Sequence, residues 1–294
     1  MNKKQYYQEI AKRKAKSFLW FFVKYIPDEL FIKIVYFMKF KKWIDLDNPK
    51  TFNEKVQYLK LKQTDQIYSD LADKFKVREY IKEKLWEEVL TKFYWYWKDP
   101  MQIPFDTLPK KFVIKCNHWS GYNIIVPDKN KLDIKQTIHI VNLRMKEDYR
   151  IFNRELQYKN IDKMIIIEEF LEDEEFKYPI EYKSFCFWWK SLFILLDYNK
   201  KRAIFDREWK KMDFDIKFSN YNWEEEKFYS IDKIVNYSEI LSKWFVYTRV
   251  DFYISNKKIL FWEITFFSWS WHSIFLPNHD ELDKKYWNMI LLDK

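Results

Sequence analysis

One glycine in 294 residues restricts this chain more than any other feature, because tight turns, bulges and close backbone approaches ordinarily draw on glycine. An average chain of this length holds roughly 20 of them, about 7%. Here Gly121 stands beside fifteen tryptophans, and the two counts together approach an ordinary glycine total. Many of the tryptophans therefore read as occupants of glycine sites. With 48% hydrophobic residues, the composition is otherwise that of a globular chain with a sizeable core.

The formal charge of +9 is unevenly placed. Residues 1–42 hold eleven Lys or Arg against three acids (Glu9, Asp28 and Glu29), a balance of +8, so the remainder is nearly neutral. This arm reads as two helices broken near Pro27, with Phe18, Phe21, Phe22 and Tyr25 recurring at helical spacing. Two readings stay open for it: a helix packed on the main body with its lysines in solvent, or a basic amphipathic helix resting on an anionic membrane surface. The apolar run FLWFFV at 18–23 has no small-residue cleavage site after it, and it is far shorter than the roughly 20 residues of a spanning helix. Cys116 and Cys186 form neither a disulfide framework nor a CxxC pair. A cytoplasmic protein is expected, with peripheral contact at the inner membrane face through residues 1–42 as an extension of the second reading.

Along the chain, Thr51 and Glu54 have the spacing of a capping box at the start of a helix. Helix continues through 76–85, and three prolines in PMQIPFDTLP at 100–109 end it. Strands follow at 112–116, 123–126 and 164–170, with a helix over about 133–148 between the last two. Further strands fall at 181–187, 192–198, 246–254 and 257–265, and a helix near 231–243. Hairpins in the second half make this an α+β chain and not a strictly alternating parallel one. Four segments are expected: a basic helical arm at 1–44, a helical segment at 45–108, a first lobe at 109–178 and a second at 179–294.

Four stretches carry candidate chemistry. Lys115 ends a strand and precedes the turn NHWSGYN, a point charge beside a run of backbone amides that suits phosphates. IIIEEFLEDEE at 165–175 is an apolar strand entering an acidic cluster. It reads either as a strand leaving into solvent or as a hinge whose backbone pairs with an adenine edge. RVDFY at 249–253 sets Arg249 and Asp251 on one strand face, while Val250 and Phe252 mark the other as buried. WEIT at 262–265 does the same for Glu263 and Thr265. If those two strands pair as a hairpin, Asp251 and Glu263 converge on one hard cation such as Mg²⁺.

In order and spacing, LDNPKTFNEKVQYLK, FVIKCNHWSGYNIIV, IIIEEFLED, YKSFCF, RVDFY and WEITF resemble the teichuronopeptide-biosynthesis (TupA-like) branch of the ATP-grasp superfamily, from about residue 43 onward. The resemblance implies an ATP-grasp fold of two α+β lobes with the nucleotide between them, here preceded by the helical arm. It implies a ligase that uses ATP and Mg²⁺ to activate a carboxylate as an acyl phosphate, which an amine then attacks. Lys115 is similar to the phosphate lysine, and His118, Trp119, Ser120, Gly121 and Asn123 to the flexible phosphate loop. Glu168, Glu169 and Leu171 resemble the adenine hinge, and Glu175 the ribose acid. Lys183 resembles a second phosphate-side lysine. Arg249 matches the residue that stabilises charge on the transferred phosphoryl group. Asp251, Glu263 and Thr265 match the metal ligands, although the wider superfamily commonly has asparagine where Thr265 stands.

The same resemblance leads us to expect glycine at Trp43, Trp86, Trp95, Trp119, Trp188, Trp189, Trp244, Trp262, Trp269, Trp271 and Trp287, whereas Trp97 and Trp209 read as genuine tryptophans. Such a pattern results where UGA encodes glycine in the source lineage and has been translated as tryptophan. Decay of a pseudoenzyme would scatter replacements instead of repeating one. As written, the chain is expected to have a blocked phosphate loop and overpacked turns. The function expected is assembly of a cell-surface polysaccharide or peptide–polysaccharide from small-molecule or glycan substrates. Two alternatives stand beside it: a glycosyltransferase or phosphotransferase, for which DFD at 213–215 would be the acid pair, and a non-enzymatic membrane-surface binder. Nucleic acid is not expected as a partner, since the positive charge is confined to the arm.

Overall fold

The computed structural model describes residues 22–119, 123–199, 201–216, 231–267, 275–276, 279–287 and 290. In chain order its helices are α1 (Asp28–Phe40), α2 (Phe52–Lys62), α3 (Gln66–Ala72), α4 (Val77–Leu85), α5 (Ile134–Lys146), α6 (Tyr149–Asn153), α7 (Ile231–Leu241) and α8 (His279–Trp287). Its strands are β1 (Phe93–Trp97), β2 (Phe112–Cys116), β3 (Ile124–Val126), β4 (Ile165–Glu169), β5 (Ile180–Phe187), β6 (Lys190–Tyr198), β7 (Lys201–Asp206), β8 (Asp215–Ile216), β9 (Tyr247–Ser255), β10 (Lys258–Thr265) and β11 (Phe275–Leu276). The chain forms two compact units. The first gathers Met1–Trp43, Gln63–Phe75 and Lys92–Phe170, and the second gathers Ile44–Lys62, Lys76–Thr91 and Leu171–Lys294. Residues 45–108 are thus shared between both.

In the first unit, β1, β4, β2 and β3 form an antiparallel sheet in that order. The apolar run that reads as a strand in sequence is its middle: every residue of β2 is buried. Phe112, Ile114, Ile165 and Ile167 pack with Val141 of α5 and with Ile103, Phe105 and Leu108 from the proline-rich stretch. β1 was not expected, because the aromatic run FYWYW shows no alternation of polar and apolar residues. The described part of the arm, α1, is fastened to this unit by buried Arg154. Its guanidinium donates to the carbonyls of Val23 (2.7 Å) and Ile26 (3.0 Å), pairs with Asp28 at 3.2 Å and lies 4.4 Å from the Phe31 ring. Of the first arm helix, Phe18 and Phe21 lie outside the described residues, while Phe22 and Tyr25 are exposed.

The second unit is an antiparallel sheet in the order β10-β9-β5-β6-β7, with β8 and β11 as a separate short pair. The capping box forms as read: Glu54 N–H donates to Thr51 Oγ1 (3.3 Å), and Thr51 N–H to Glu54 Oε2 (3.1 Å). Helix α2 is then held to α8 by Asp283, which accepts from the backbone and side-chain amides of Asn53, both at 2.9 Å. α7 covers one face of the sheet, where Tyr237 meets Phe252.

Among the described residues, three of the tryptophans expected to be glycine have positive φ. Trp188 (φ 48°) and Trp189 (φ 63°) are the two central residues of the β5–β6 hairpin, where a two-residue turn of mirror-image type needs positive φ twice. Trp86, at φ 71° and ψ 171° after α4, occupies a region open almost only to glycine. Trp188 and Trp189 are not overpacked, since both rings are exposed. Trp43, Trp95, Trp119, Trp244, Trp262 and Trp287 do not show positive φ, and Trp269 and Trp271 lie outside the described residues. Trp209, read as a genuine tryptophan, also has positive φ (67°), although its ring stacks on Phe205 at 4.0 Å.

Replacing Trp86 with glycine relieves strain of about 1–3 kcal/mol against about 0.5–1 kcal/mol for glycine's greater unfolded-state freedom. Trp86→Gly, and likewise Trp188→Gly with Trp189→Gly, should therefore raise the denaturant midpoint, through an unfolding free energy larger by about 1 kcal/mol for each site. A lower midpoint would contradict the strain. Reading the gene checks the origin: UGA codons are expected at the eleven positions, and GGN or UGG there would refute it.

Candidate active site

The first unit contributes a buried cation and its partner. Lys115 on β2 and Glu168 on β4 lie on one face of the sheet, since Glu168 stands opposite Val113, two residues along from Lys115. They form a buried ion pair. Two residues expected to serve separate parts of a nucleotide are thus joined here. Glu169 Oε1 accepts from Lys92 N–H (2.7 Å), tying the end of β4 to the start of β1. Leu171 is partly exposed, and Glu175 is exposed.

Asn117, which sequence reading passed over, determines how the chain leaves β2. Its amide nitrogen donates to Asp73 Oδ1 (2.9 Å) and to the Asp162 carbonyl (2.8 Å), while its amide oxygen accepts from Met164 N–H (2.7 Å). An amide residue directly after an apolar strand was the signal available in sequence. His118 follows, fully enclosed, its imidazole pushed down to about 4 by burial and then by the Lys163 and Lys74 charges. Trp119 is buried, with its ring edge-on to Tyr149 at 4.9 Å, so it is a packed residue here. Ser120 and Gly121 lie outside the described residues, and Asn123 leads into β3.

The second unit gathers charge on one sheet face. Arg249 and Asp251 project together from β9, joined by Nε–Oδ1 (2.7 Å) and Nη2–Oδ2 (2.6 Å) hydrogen bonds. The same Nη2 reaches Glu263 Oε1 (3.1 Å) and Thr265 Oγ1 (3.3 Å) on β10. A bulge makes this convergence possible. Phe261 pairs with Phe252 but Glu263 with Asp251, so Trp262 is the extra residue, and in an unbulged register Glu263 would stand opposite Val250 on the other face. A bulge inside a strand is a place where glycine is common.

Lys183 on β5 stands opposite Asp251 in register. It is ion-paired with Glu181 and lies 3.5 Å from Asp197, which also accepts from Arg202 Nε (2.6 Å). Tyr253 donates to Glu181 Oε1 (2.8 Å). Glu181 could have been found from its i, i+2 spacing to Lys183, whereas Asp197, Arg202 and Tyr253 required the strand register. The polar face of β9 is under cover, because Arg249 and Asp251 are buried along with Val250 and Phe252. A middle strand carries side chains under cover on both faces. Burial pushes the Asp251 carboxyl up to about 6, Arg249 opposing the rise and Glu263 adding to it. Burial disfavours the Arg249 charge, but Asp251 and Glu263 outweigh it and raise its pKa.

Glu175 lines a cleft of about 240 Å³ with Phe176, Ile180, Tyr182 and Ile254. Ile180 and Tyr182 alternate with Glu181 and Lys183, so this cleft is on the sheet face opposite the charged row. Of the DFD acids, Asp213 is exposed and Asp215 opens β8.

The family model described as TupA-like ATPgrasp matches residues 54–287. The chain belongs to the TupA-like ATP-grasp family. Its fold is accordingly the ATP-grasp fold, mixed helix and antiparallel sheet. No curated protein matches the sequence. Among solved structures, the ATP complex of D-alanine–D-alanine ligase from Bacillus anthracis is similar at 16% identity and TM-score 0.40, covering 67% of this chain and 54% of that one. Another structure of the same ligase gives 18%, 0.45, 75% and 66%. The ADP complex of N5-carboxyaminoimidazole ribonucleotide synthetase gives 13%, 0.41, 72% and 50%. The chain thus spans about half to two thirds of these proteins.

Whether this ATP-grasp chain suits Mg²⁺ can be judged from its donors. Among the described residues no three His, Cys, Asp or Glu side chains cluster as a protein-only metal cage. Two carboxylates and a hydroxyl do meet around one guanidinium nitrogen. Hard oxygens in that number suit Mg²⁺ that takes its remaining ligands from water and phosphate.

Two consequences can be measured. Arg249→Ala leaves two carboxylates buried without their guanidinium and should cost about 3–5 kcal/mol in urea unfolding. For His118, a folded pKa near 4 against an ordinary 6.5 means the unfolded chain binds the extra proton in that window. Its contribution is complete above pH 6.5 and is lost as pH falls toward 4, up to about 3 kcal/mol. Unfolding measured across this range should show a smaller acid loss for His118→Asn than for the unaltered chain, and parallel curves would contradict it.

Proposed function

We propose that this chain is an ATP- and Mg²⁺-dependent ligase that activates a carboxylate and passes the acyl group to an amine, in assembly of a cell-surface polysaccharide or peptide–polysaccharide. The observation that supports this best is the single sheet face carrying Arg249, Asp251, Glu263, Thr265 and Lys183, in a chain of the TupA-like ATP-grasp family. In the proposed reaction a carboxylate oxygen attacks the γ-phosphorus of ATP, and the bond to the bridging oxygen breaks as ADP leaves. The amine nitrogen then attacks the acyl carbon, phosphate departs, and the nitrogen's proton passes to solvent. Arg249 stabilises the charge that gathers on the transferred phosphoryl group, acting in a buried setting where such an interaction is strong. Lys115 and Lys183 bind phosphate oxygens, their present carboxylate partners holding each ammonium in place. Asp251, Glu263 and Thr265 would hold Mg²⁺, which when bound neutralises the phosphates. A uronic acid or acidic amino acid is the carboxylate class we assign. The two buried free cysteines are compatible with a reducing compartment.

ADP release is the direct test, on protein carrying Trp119→Gly, Trp188→Gly and Trp189→Gly and across panels of acids and amines. Release that requires both an acid and Mg²⁺ is expected, with tighter ATP binding than in the chain as written. Asp251→Asn should lower the rate at least about a hundredfold, in the range seen when preorganised charge is removed. Transfer of sugar or phosphate with no acid requirement would replace the ligase with a transferase.

A further inference from the structure

The inner side of α1 is accounted for by Ile32 and Tyr36, which are buried, and by the Arg154 contacts to the turn before it. Its outer side is apolar. Leu30 (49% exposed), Ile34 (36%), Phe37 (38%) and Met38 (66%) recur at three- and four-residue spacing and form one stripe of the helix. Beyond them Trp43 stacks on Phe37 at 4.6 Å, but Trp43 is one of the positions expected to be glycine, and the stripe stands without it.

Charge is divided along the same helix. The acids are confined to the first turn, where Asp28 pairs with Arg154 and Glu29 with Lys33 (2.6 Å). At the other end Lys39, Lys41 and Lys42 are all exposed within four residues, beside Phe37 and Met38. Exposed aliphatic side chains bordered by lysines fit a surface that is hydrocarbon below and anionic at its rim. No described helix is long and apolar enough to cross a bilayer, and 13 residues of α1 suit lying along one.

We propose that α1 is a docking surface for anionic lipid bilayers, with Leu30, Ile34, Phe37 and Met38 entering the headgroup boundary and Lys39, Lys41 and Lys42 meeting lipid phosphates. Arg154 makes this an attachment of the whole first unit and not of a loose tail, because it ties the chain before α1 to the folded body. The surface lies away from Lys115 and Glu168 in sequence and uses none of the residues assigned to the reaction.

Sedimentation of the full chain with vesicles tests the proposal, using phosphatidylcholine alone and phosphatidylcholine mixed with phosphatidylglycerol. Binding to the mixed vesicles only, weakening with added salt, is expected. Neutralising Lys39, Lys41 and Lys42 to Gln should lower the partition coefficient by about fivefold for each lysine. Leu30→Glu with Met38→Glu should abolish binding while circular dichroism stays unchanged. The proposal is overturned if the unaltered chain stays in the supernatant with mixed vesicles, or if both variants sediment as it does. It is overturned equally if the stripe proves to join two copies, seen as a dimer that Leu30→Glu with Met38→Glu dissolves, or if the lysines bind a single-stranded oligonucleotide in place of vesicles.

Discussion

A guanidinium buried in a middle strand must be met by carboxylates, and in this protein Arg249 is met by two. Its bidentate bond to Asp251 joins neighbours on one strand, while the bond to Glu263 reaches across to β10. Desolvating three charges is costly, and their mutual attraction offsets the cost only because each hydrogen bond is close to its best length. The requirement extends outward. Glu263 can reach Arg249 only if β10 carries an extra residue at Trp262, and Asp251 faces Lys183 only in the register that β5 and β9 adopt. The position of the bulge is therefore tied to the charges and cannot drift along the strand without burying an unpaired carboxylate. Burial is what raises the Asp251 carboxyl, with Arg249 opposing the rise and Glu263 adding to it.

Backbone and side chain are in conflict at several turns. The β5–β6 hairpin and the end of α4 take conformations that tryptophan enters only under strain, and the β5–β6 pairing itself shifts register between Phe185 and Cys186. The fold tolerates this because those rings project outward, where no packing must be rearranged to hold them. Trp119 illustrates the other outcome: it is enclosed and set against Tyr149, and its backbone is ordinary. The same substitution pattern thus produces strain in one place and added packing in another. Trp209 crosses the division, with glycine-like backbone and an aromatic stack on Phe205.

Much of the fold was legible because apolar runs are short and their punctuation is clear. β2, β4, β9 and β10 fall within a residue or two of their expected ends, and Thr51 with Glu54 forms the cap that their spacing announced. β1 was missed, since five aromatic residues carry no two-residue alternation, and β7 was missed beside it. Among site residues, Arg249 and Asp251 could be put together from a spacing of two. Asn117 could not be, because its partners Asp73, Asp162 and Met164 are 44 or more residues away.

What the residues determined by themselves was local: which segments are strands, which side chains share a strand face, where a helix begins, and a shortage of glycine that the backbone then had to absorb. Tertiary structure alone decided that Lys115 pairs with Glu168, that Asp197 stands beside Lys183, and that the polar face of β9 is closed from solvent. It also decided which side of α1 remains exposed. The reason is physical: alternation along a strand says which side chains lie together, but pairing register and burial depend on segments far away in the chain. Charges so placed have strengths set by the dielectric around them, which no spacing of residues encodes.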